Sequence, residues 1–262
     1  MEHLLSERIK STPPSFIRSI LKTAADPEII SFAGGLPNPV SFPQEELLVS
    51  MERIVRDYGS SLFQYSITAI GSVILQTAVN NMGSTIVAAV TAGSRVSMFV
   101  CCPFDAMGST MATYGGQNKG AAKYDRIDEG LKACIKLGVI YSLAILVLMI
   151  FFGKYLALLF VSSKETELIN KISMFMIGNA LFYIPLALVN IVRFMIQGIG
   201  YPGFAILAGV CEMIARSIAG FVLVPIFGYT FVVLASPLAW VCADMFLIPA
   251  YRHVMKKSRV MA

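Results

Sequence analysis

Long apolar runs separated by short polar gaps fill the chain from about residue 67 onward, whereas the preceding residues are mixed and rich in turn-forming types. The runs are continuously apolar rather than alternating, and each approaches the roughly 20 residues with which a helix crosses a bilayer core. This pattern predicts an all-α membrane protein with about six transmembrane helices and a short, mostly irregular soluble N-terminal arm. The predicted spans are residues 67–90, 97–115, 137–160, 172–196, 203–226 and 231–251.

Composition agrees with this prediction. Hydrophobic residues make up 56% of the 262 residues and charged residues 14%, whereas about a quarter charged is usual for soluble domains. The mean hydropathy is +0.70, so we expect the lipid bilayer to be the main partner. The net charge of +5 does not indicate nucleic acid, because the basic residues gather beside apolar runs rather than along one stripe.

The basic residues also predict the orientation. They follow the second span (Lys119 to Lys132), end the fourth (Arg193) and follow the sixth (Arg252 to Arg259). All three places fall on the same side of an even-numbered traverse. The positive-inside rule assigns that side to the cytoplasm, so we expect a multi-pass plasma-membrane protein with both termini cytoplasmic.

The N-terminal arm carries the phrase Ile-Ser-Phe-Ala-Gly-Gly-Leu-Pro-Asn-Pro at residues 30–39. This phrase resembles the N-terminal arm of fold-type I pyridoxal-phosphate aminotransferases of the 2-aminoadipate branch. The resemblance implies that Gly34 and Gly35 correspond to positions close to a substrate carboxylate. That chemistry also needs a Schiff-base lysine and an acidic partner in a large downstream domain. We expect residues 1–62 to be an incomplete fragment without catalysis or cofactor, so the chain is not predicted to be an enzyme.

The rest of the chain resembles a different family. Residues 66–76, the Gly-Gln-Asn-Lys-Gly-Ala phrase within residues 111–121, and Gln-Gly-Ile-Gly at 197–200 resemble the C-terminal lobe of multidrug and toxic compound extrusion (MATE) transporters. The resemblance implies a six-helix lobe at residues 63–262. It further implies an antiporter that exports drug-like, often cationic, organic compounds in exchange for Na⁺ or H⁺. Such an antiporter has two lobes around a central cavity, so we expect this lobe to need a second lobe or partner chain and not to function alone.

The junction at residues 62–66, Leu-Phe-Gln-Tyr-Ser, resembles both families at once. We interpret the chain as a chimera of two reading frames joined at this short similarity. The alternative is a natural two-domain design. A competing interpretation, based on the N-terminal arm alone, is that the chain is a pyridoxal-phosphate aminotransferase. Such a protein would be catalytically incompetent.

Polar residues within the apolar runs are candidates for a site, because polar groups in hydrocarbon are costly and usually face an interior. Gln76 and Asn80 share a helix face and either line a cavity or hydrogen-bond between helices. Asp105, two residues after Pro103, either binds a cation or is a hydrated carboxylate near the interface. Asp244 is a buried acid that titrates with transport in this interpretation. The full set of substrate- or ion-binding candidates is Gln76, Asn80, Asp105, Asn179, Tyr183, Asn190 and Asp244.

Three further features complete the predictions. Glu212 and Arg216 stand one helical turn apart and are expected to form a structural ion pair. Pro185 is expected to bend the fourth span. The glycine-rich stretch 115–120 is predicted as a cytoplasmic turn and not a nucleotide cradle, because it lacks the Walker lysine spacing. The five cysteines and two histidines have no metal-ligand spacing, so no metal site is expected.

Overall fold

A computed structural model of the chain describes residues 49, 50, 52 and 66–260. The aminotransferase-like phrase, Gly34, Gly35 and the junction lie outside the described residues. Residues 66–260 belong to the second of two units, Tyr58–Ala262, and form helices joined by short turns, with no strand among them. The predicted all-α class is confirmed. The helices are α1 (Ser66–Asn80), α2 (Ser84–Gly120), α3 (Tyr124–Ala157), α4 (Thr166–Ala180), α5 (Tyr183–Gly198), α6 (Pro202–Phe227) and α7 (Tyr229–Val260).

Within the described part, α2, α3, α6 and α7 are long and apolar enough to cross a membrane, and α4 with α5 forms a fifth candidate span. The first predicted span, residues 67–90, begins with the shorter apolar helix α1. Apolar side chains on α3 face outward, including Leu137, Ile140 and Phe151, which are all exposed. A soluble protein rarely exposes such a continuous apolar face. The lobe is a multi-pass membrane protein.

The predicted boundaries of the first two spans are wrong. The apolar run 67–90 is broken at residues 81–83, where Gly83 has a φ of 96°, a conformation that glycine adopts without steric cost. The helix that starts at Ser84 then continues through the polar gap before residue 97. Gly93 lies within this stretch, where a Cβ would lie 2.5 Å from the Phe175 ring. Close packing of α4 against α2 therefore keeps this polar stretch helical.

The predicted turn at residues 115–120 is also wrong, because these residues form the last turns of α2. Gly115 and Gly116 allow close packing against α5. A Cβ on Gly116 would lie 3.2 Å from the Gly198 carbonyl oxygen, and one on Gly198 would overlap the Ala112 carbonyl oxygen. The chain turns instead at Ala121 to Lys123, where Ala122 has a positive φ of 54°.

The predicted bend in the fourth span is present, slightly earlier than Pro185 itself. Helices α4 and α5 meet at an angle of 49° across Leu181 and Phe182. Pro185 has no N–H to donate to the Leu181 carbonyl, so the hydrogen-bond ladder fails at this point. In α6, Pro225 has the same effect on Phe221, and a π-helical turn occupies Ala219–Leu223.

Contacts bring the ends of α2, α5 and α7 together. Lys119 Nζ donates to the Ile199 carbonyl at 2.6 Å, and both Lys119 and Lys257 lie over the Tyr201 ring, at 5.0 and 5.9 Å from its centroid. Arg259 pairs with two carboxylates near the start of α3. Two of the three basic places predicted for one side of the membrane therefore lie at one end of the lobe.

Candidate functional site

Four charged side chains are buried among the apolar helices. Arg193 on α5, Glu212 and Arg216 on α6, and Asp244 on α7 are only 6%, 2%, 8% and 7% exposed. We call these four residues the buried charge cluster. Charged residues are seldom buried to this extent unless they are paired, and within a membrane lobe they usually mark a functional site.

Glu212 is the centre of this cluster. Its Oε1 accepts from Arg193 Nη2, and its Oε2 lies 3.3 Å from Arg216 Nη2. One carboxylate therefore serves two guanidinium groups, one from the same helix and one from a neighbouring helix. This pairing reduces the cost of burying the three charges, but it leaves one positive charge without a matching carboxylate in the trio.

Asp244 supplies the second negative charge. It lies on α7, one turn after Trp240, and the positive charge of Arg193 acts on it through space. Its Oδ1 is buried and has no hydrogen-bond partner among the described residues. With all four groups ionised the cluster is neutral, and protonation or cation binding at Asp244 changes its net charge to +1. A buried carboxylate oxygen without a hydrogen bond is a candidate functional atom.

Arg193 has a partner that the sequence does not predict. The sequence places it with the basic residues at the cytoplasmic end of the fourth span, and the structure buries it and pairs it with Glu212. The sequence signal was the position of Arg193 inside an apolar run, five residues before Gly198. Its partner lies on the next span, and helical periodicity within one segment does not identify partners between segments.

The predicted pair of Glu212 and Arg216 is present in the structure. Two other predicted candidates, Asn179 and Tyr183, are buried. The Asn179 amide donates to the Phe175 carbonyl at 2.9 Å. Tyr183 is 1% exposed, and its ring packs against Phe104 and Trp240. Both side chains therefore stabilise the bend region between α4 and α5.

The remaining predicted candidates are exposed or only partly buried. Gln76 Nε2 donates to Asn80 Oδ1 at 2.9 Å, and both side chains are exposed on α1. Asp105 is exposed on α2, and Asn190 is partly buried on α5. Of the predicted ligands, Asp244 is acted on by the charge of Arg193, and Gln76 borders the same small pocket as Arg216.

A large open cavity lies at the opposite end of the lobe from Lys119. It has a volume of about 1070 Å³ and is bordered by the end of α1, the first turns of α2 and the connection between α3 and α4. Asn80 is the predicted candidate that lines it, together with Arg95 and Glu165 among charged residues. Its size is in the range of sites for drug-sized ligands. Within the part of the chain that the structure describes, no group of three His, Cys, Asp or Glu side chains is placed to hold a metal ion.

Comparisons with known proteins show similarity to one family in sequence and fold. Residues 60–230 match the MatE family. The fold is similar to that of a multidrug resistance MATE family transporter of the MOP superfamily in its outward-facing conformation. The TM-score is 0.71 at 17% identity, over 88% of this chain and 50% of that one. For a multidrug resistance MATE family transporter in an inward-facing conformation, the TM-score is 0.71 at 16% identity, over 81% of this chain and 49% of that one. The chain thus spans about half the length of these transporters.

Two curated aminotransferases match shorter stretches. A segment of 54 residues is 50% identical to the 2-aminoadipate transaminase of Thermus thermophilus, covering 21% of this chain and 14% of the transaminase. A segment of 68 residues is 38% identical to an uncharacterized aminotransferase of Saccharolobus solfataricus, covering 26% of this chain and 17% of that protein. The chain therefore spans less than a fifth of either aminotransferase.

Proposed function

The chain belongs to the MatE family of membrane transporters, and from this premise we propose that it supplies the second lobe of an antiporter. The proposed substrates are drug-like, cationic organic compounds, exported in exchange for Na⁺ or H⁺. The observation that carries the proposal is the buried charge cluster, in which one carboxylate, Asp244, is not held by a hydrogen bond at Oδ1. This lobe needs a second lobe or partner chain, because the transporters that it resembles are about twice as long.

Asp244 is the proposed coupling residue. When a proton or Na⁺ neutralises Asp244, the cluster gains a net positive charge, and Arg193 loses its electrostatic partner on α7. This change alters the attraction between α5 and α7, which meet beside the 49° bend of α4 and α5. A ligand shifts a conformational equilibrium only by its different affinity for the two states. Such a difference arises in this proposal because Arg193 is attracted to an ionised Asp244 on α7 and not to a neutralised one.

The large cavity is the proposed substrate surface. It is mostly apolar, and Asn80, Thr91 and Glu165 add a few polar groups among its lining residues. Arg95 also lines this cavity and balances the charge of Glu165, so the apolar lining is the main support for an organic compound, and Glu165 is the proposed acidic partner of its positive charge.

Replacing Asp244 tests the coupling proposal. We expect Asp244→Asn to abolish ethidium efflux in a two-lobe protein, made by placing residues 63–262 after the first lobe of a complete MatE transporter. The asparagine keeps the size of the side chain but cannot take up a proton. The measurement is ethidium loss from cells that lack their own exporters, at matched protein amounts in the membrane.

Two other carboxylates complete this test. Asp125→Asn is the control, because Asp125 is 91% exposed and pairs with Arg259 at the end of the lobe, and its efflux should equal that of the parent. Asp105→Asn examines the second predicted acid. Full efflux by the double variant Asp105→Asn, Asp244→Asn would place the coupling residues in the other lobe and refute the proposal.

We further propose that both termini are cytoplasmic, which the convergence of Lys119, Lys257 and Arg259 at one end supports. In a cysteine-free version, Lys123→Cys and Lys257→Cys are expected to resist a membrane-impermeant thiol reagent in intact cells, whereas Ser163→Cys reacts. Permeabilised cells, in which all three should react, provide the control. Labelling of Lys123→Cys without labelling of Ser163→Cys would show the opposite orientation.

The aminotransferase-like residues 1–62 are proposed to be a foreign fragment without catalytic activity. The support is the small share of the transaminase that the chain spans, 14%. The domain boundary at residues 62–63 and the joining of two reading frames belong to the same proposal. Independent reads of the source DNA that cross residues 62–66 intact would contradict the joining and favour a natural two-domain protein.

A further inference from the structure

A small, partly open pocket lies where α1, α2, α4, α6 and α7 meet. It has a volume of about 170 Å³ and shares no lining residue with the large cavity. This volume is too small for a drug-sized ligand. Its polar lining residues are Ser72, Gln76, Ser94, Arg216 and Ser236.

Arg216 is the group that gives this pocket its chemistry. Its side chain is 9% exposed, and its Nη2 lies 3.3 Å from Glu212. Its Nη1 is buried and has no hydrogen-bond partner among the described residues. A guanidinium stays protonated and has only donors to offer. A buried charged donor without an acceptor carries a high desolvation cost, and an acceptor in the pocket would remove that cost.

The neighbouring helices hold Arg216 in place beside the pocket. A Cβ on Gly71 would lie 3.3 Å from the Met213 Cα and 3.5 Å from the Arg216 Cδ. Helix α1 therefore approaches α6 closely, and it covers the aliphatic part of the Arg216 side chain. The position of the guanidinium group is fixed by this contact and by Glu212.

The lining of the pocket favours an anion over a cation. Its described residues include one positive charge, Arg216, and no carboxylate, and the hydroxyl groups of Ser94 and Ser236 can donate. Ser72 is less suited to donate, because its hydroxyl already donates to the Thr68 carbonyl at 3.1 Å. Charge-assisted hydrogen bonds to a guanidinium are about twice as strong as neutral ones.

We propose that this pocket binds a small monovalent anion, either a free halide or the carboxylate of a small organic acid. Arg216 Nη1 and the hydroxyls of Ser94 and Ser236 are the donors. This proposal concerns the lobe by itself and goes beyond the transport function. Anion binding could therefore fail while Asp244 still couples transport, and the reverse also holds.

The net charge of the buried charge cluster leads to a second prediction about anion binding. With Asp244 ionised the cluster is neutral, whereas with Asp244 neutral it carries one positive charge, which a bound anion would cancel. Asp244→Asn is therefore expected to tighten anion binding. A variant that merely loosened the structure would weaken it.

The test is the thermal unfolding midpoint of the purified full chain in detergent. The salts compared are sodium chloride, sodium acetate and the sodium salt of a bulky morpholine sulfonate, at constant ionic strength. A ligand that binds only the folded state stabilises it by RT ln(1 + c/Kd) at ligand concentration c, so the midpoint rises as the ligand concentration exceeds Kd. We expect chloride, acetate or both to raise the midpoint above that in the sulfonate. Protection by chloride alone would identify a halide site, and protection by acetate would identify a carboxylate site.

Variants link the effect to the pocket. The double variant Ser94→Ala, Ser236→Ala is expected to need about tenfold more anion for the same midpoint shift, because it loses two hydrogen bonds to the anion. Ser217→Ala is the matched control, since its hydroxyl donates to the Met213 carbonyl on the same helix. Arg216→Gln should abolish the shift, and the serine variants decide the question if Arg216→Gln does not fold. Equal midpoints in all three salts, or an unchanged shift in the double serine variant, would overturn the proposal.

Discussion

The variant Glu212→Gln is expected to lose most of its folded protein from the membrane. Glu212 is the shared partner of Arg193 and Arg216, and all three side chains are less than a tenth exposed. Glutamine keeps the shape but removes the negative charge that Arg193 and Arg216 share. Removing one member of a buried ion pair typically costs about 3–5 kcal/mol. This cost is a large fraction of the stability of an average domain, which is about 5–15 kcal/mol.

The measurement is the amount of monodisperse protein and its unfolding midpoint after extraction in detergent. Glu129→Gln is the control, because Glu129 is exposed on α3. The double variant Glu212→Gln, Arg216→Gln should recover part of the loss, since it removes one of the two buried positive charges. An unfolding midpoint of Glu212→Gln equal to that of Glu129→Gln would show that the trio contributes no net stability.

The variant Gly198→Ala is expected to prevent tight association of α2 with α5. A Cβ at this position would overlap the Ala112 carbonyl oxygen and would also lie close to the Ala112 Cα. Both are backbone atoms, so no side chain can rotate away, and the two helices must separate. Overpacking of a well-packed interior costs about 1–3 kcal/mol and occasionally more. We expect the upper end of this range or beyond, because the contact is between backbones.

Alanine variants at two other glycines provide comparisons for the Gly198→Ala variant. A Cβ on Gly203 meets nothing within 4 Å, so Gly203→Ala should unfold at the parent midpoint or slightly above it. A Cβ on Gly115 would lie 2.5 Å from the Met195 sulfur, at the flexible end of a side chain, so Gly115→Ala should be milder than Gly198→Ala. A wild-type midpoint for Gly198→Ala would show that the α2–α5 interface is less tightly packed than the structure indicates.

Much of the fold could be predicted from the sequence, because lipid leaves the backbone few alternatives. Continuous apolar runs must form helices, since no water is present to satisfy their backbone groups. The third to sixth predicted spans accordingly fall on α3 to α7. The break at Gly83 could not be predicted, because the apolar pattern runs through it unchanged. The helical polar stretch before residue 97 was missed because its small residues resemble a loop.

The candidate site could be predicted only within single helices. Glu212 and Arg216 were paired from their four-residue spacing, because neighbours on one helix are fixed by its geometry. Arg193 was missed because its contact with Glu212 joins two helices, and no local pattern reports that contact. Polarity within an apolar run makes Asn179 and Tyr183 candidates, but it does not predict that the Asn179 amide donates to the Phe175 carbonyl or that the Tyr183 ring packs against Phe104.

The most direct test of the account is ethidium efflux by the chain alone compared with efflux by the two-lobe protein, in cells that lack their own exporters. Both proteins are quantified in the membrane, so that equal amounts are compared. The account predicts rapid efflux by the two-lobe protein and only background efflux by the chain alone, because one lobe encloses no central cavity. Efflux by the chain alone at the rate of the two-lobe protein, or background efflux by both, would contradict the claim that this chain is one lobe of a MatE antiporter.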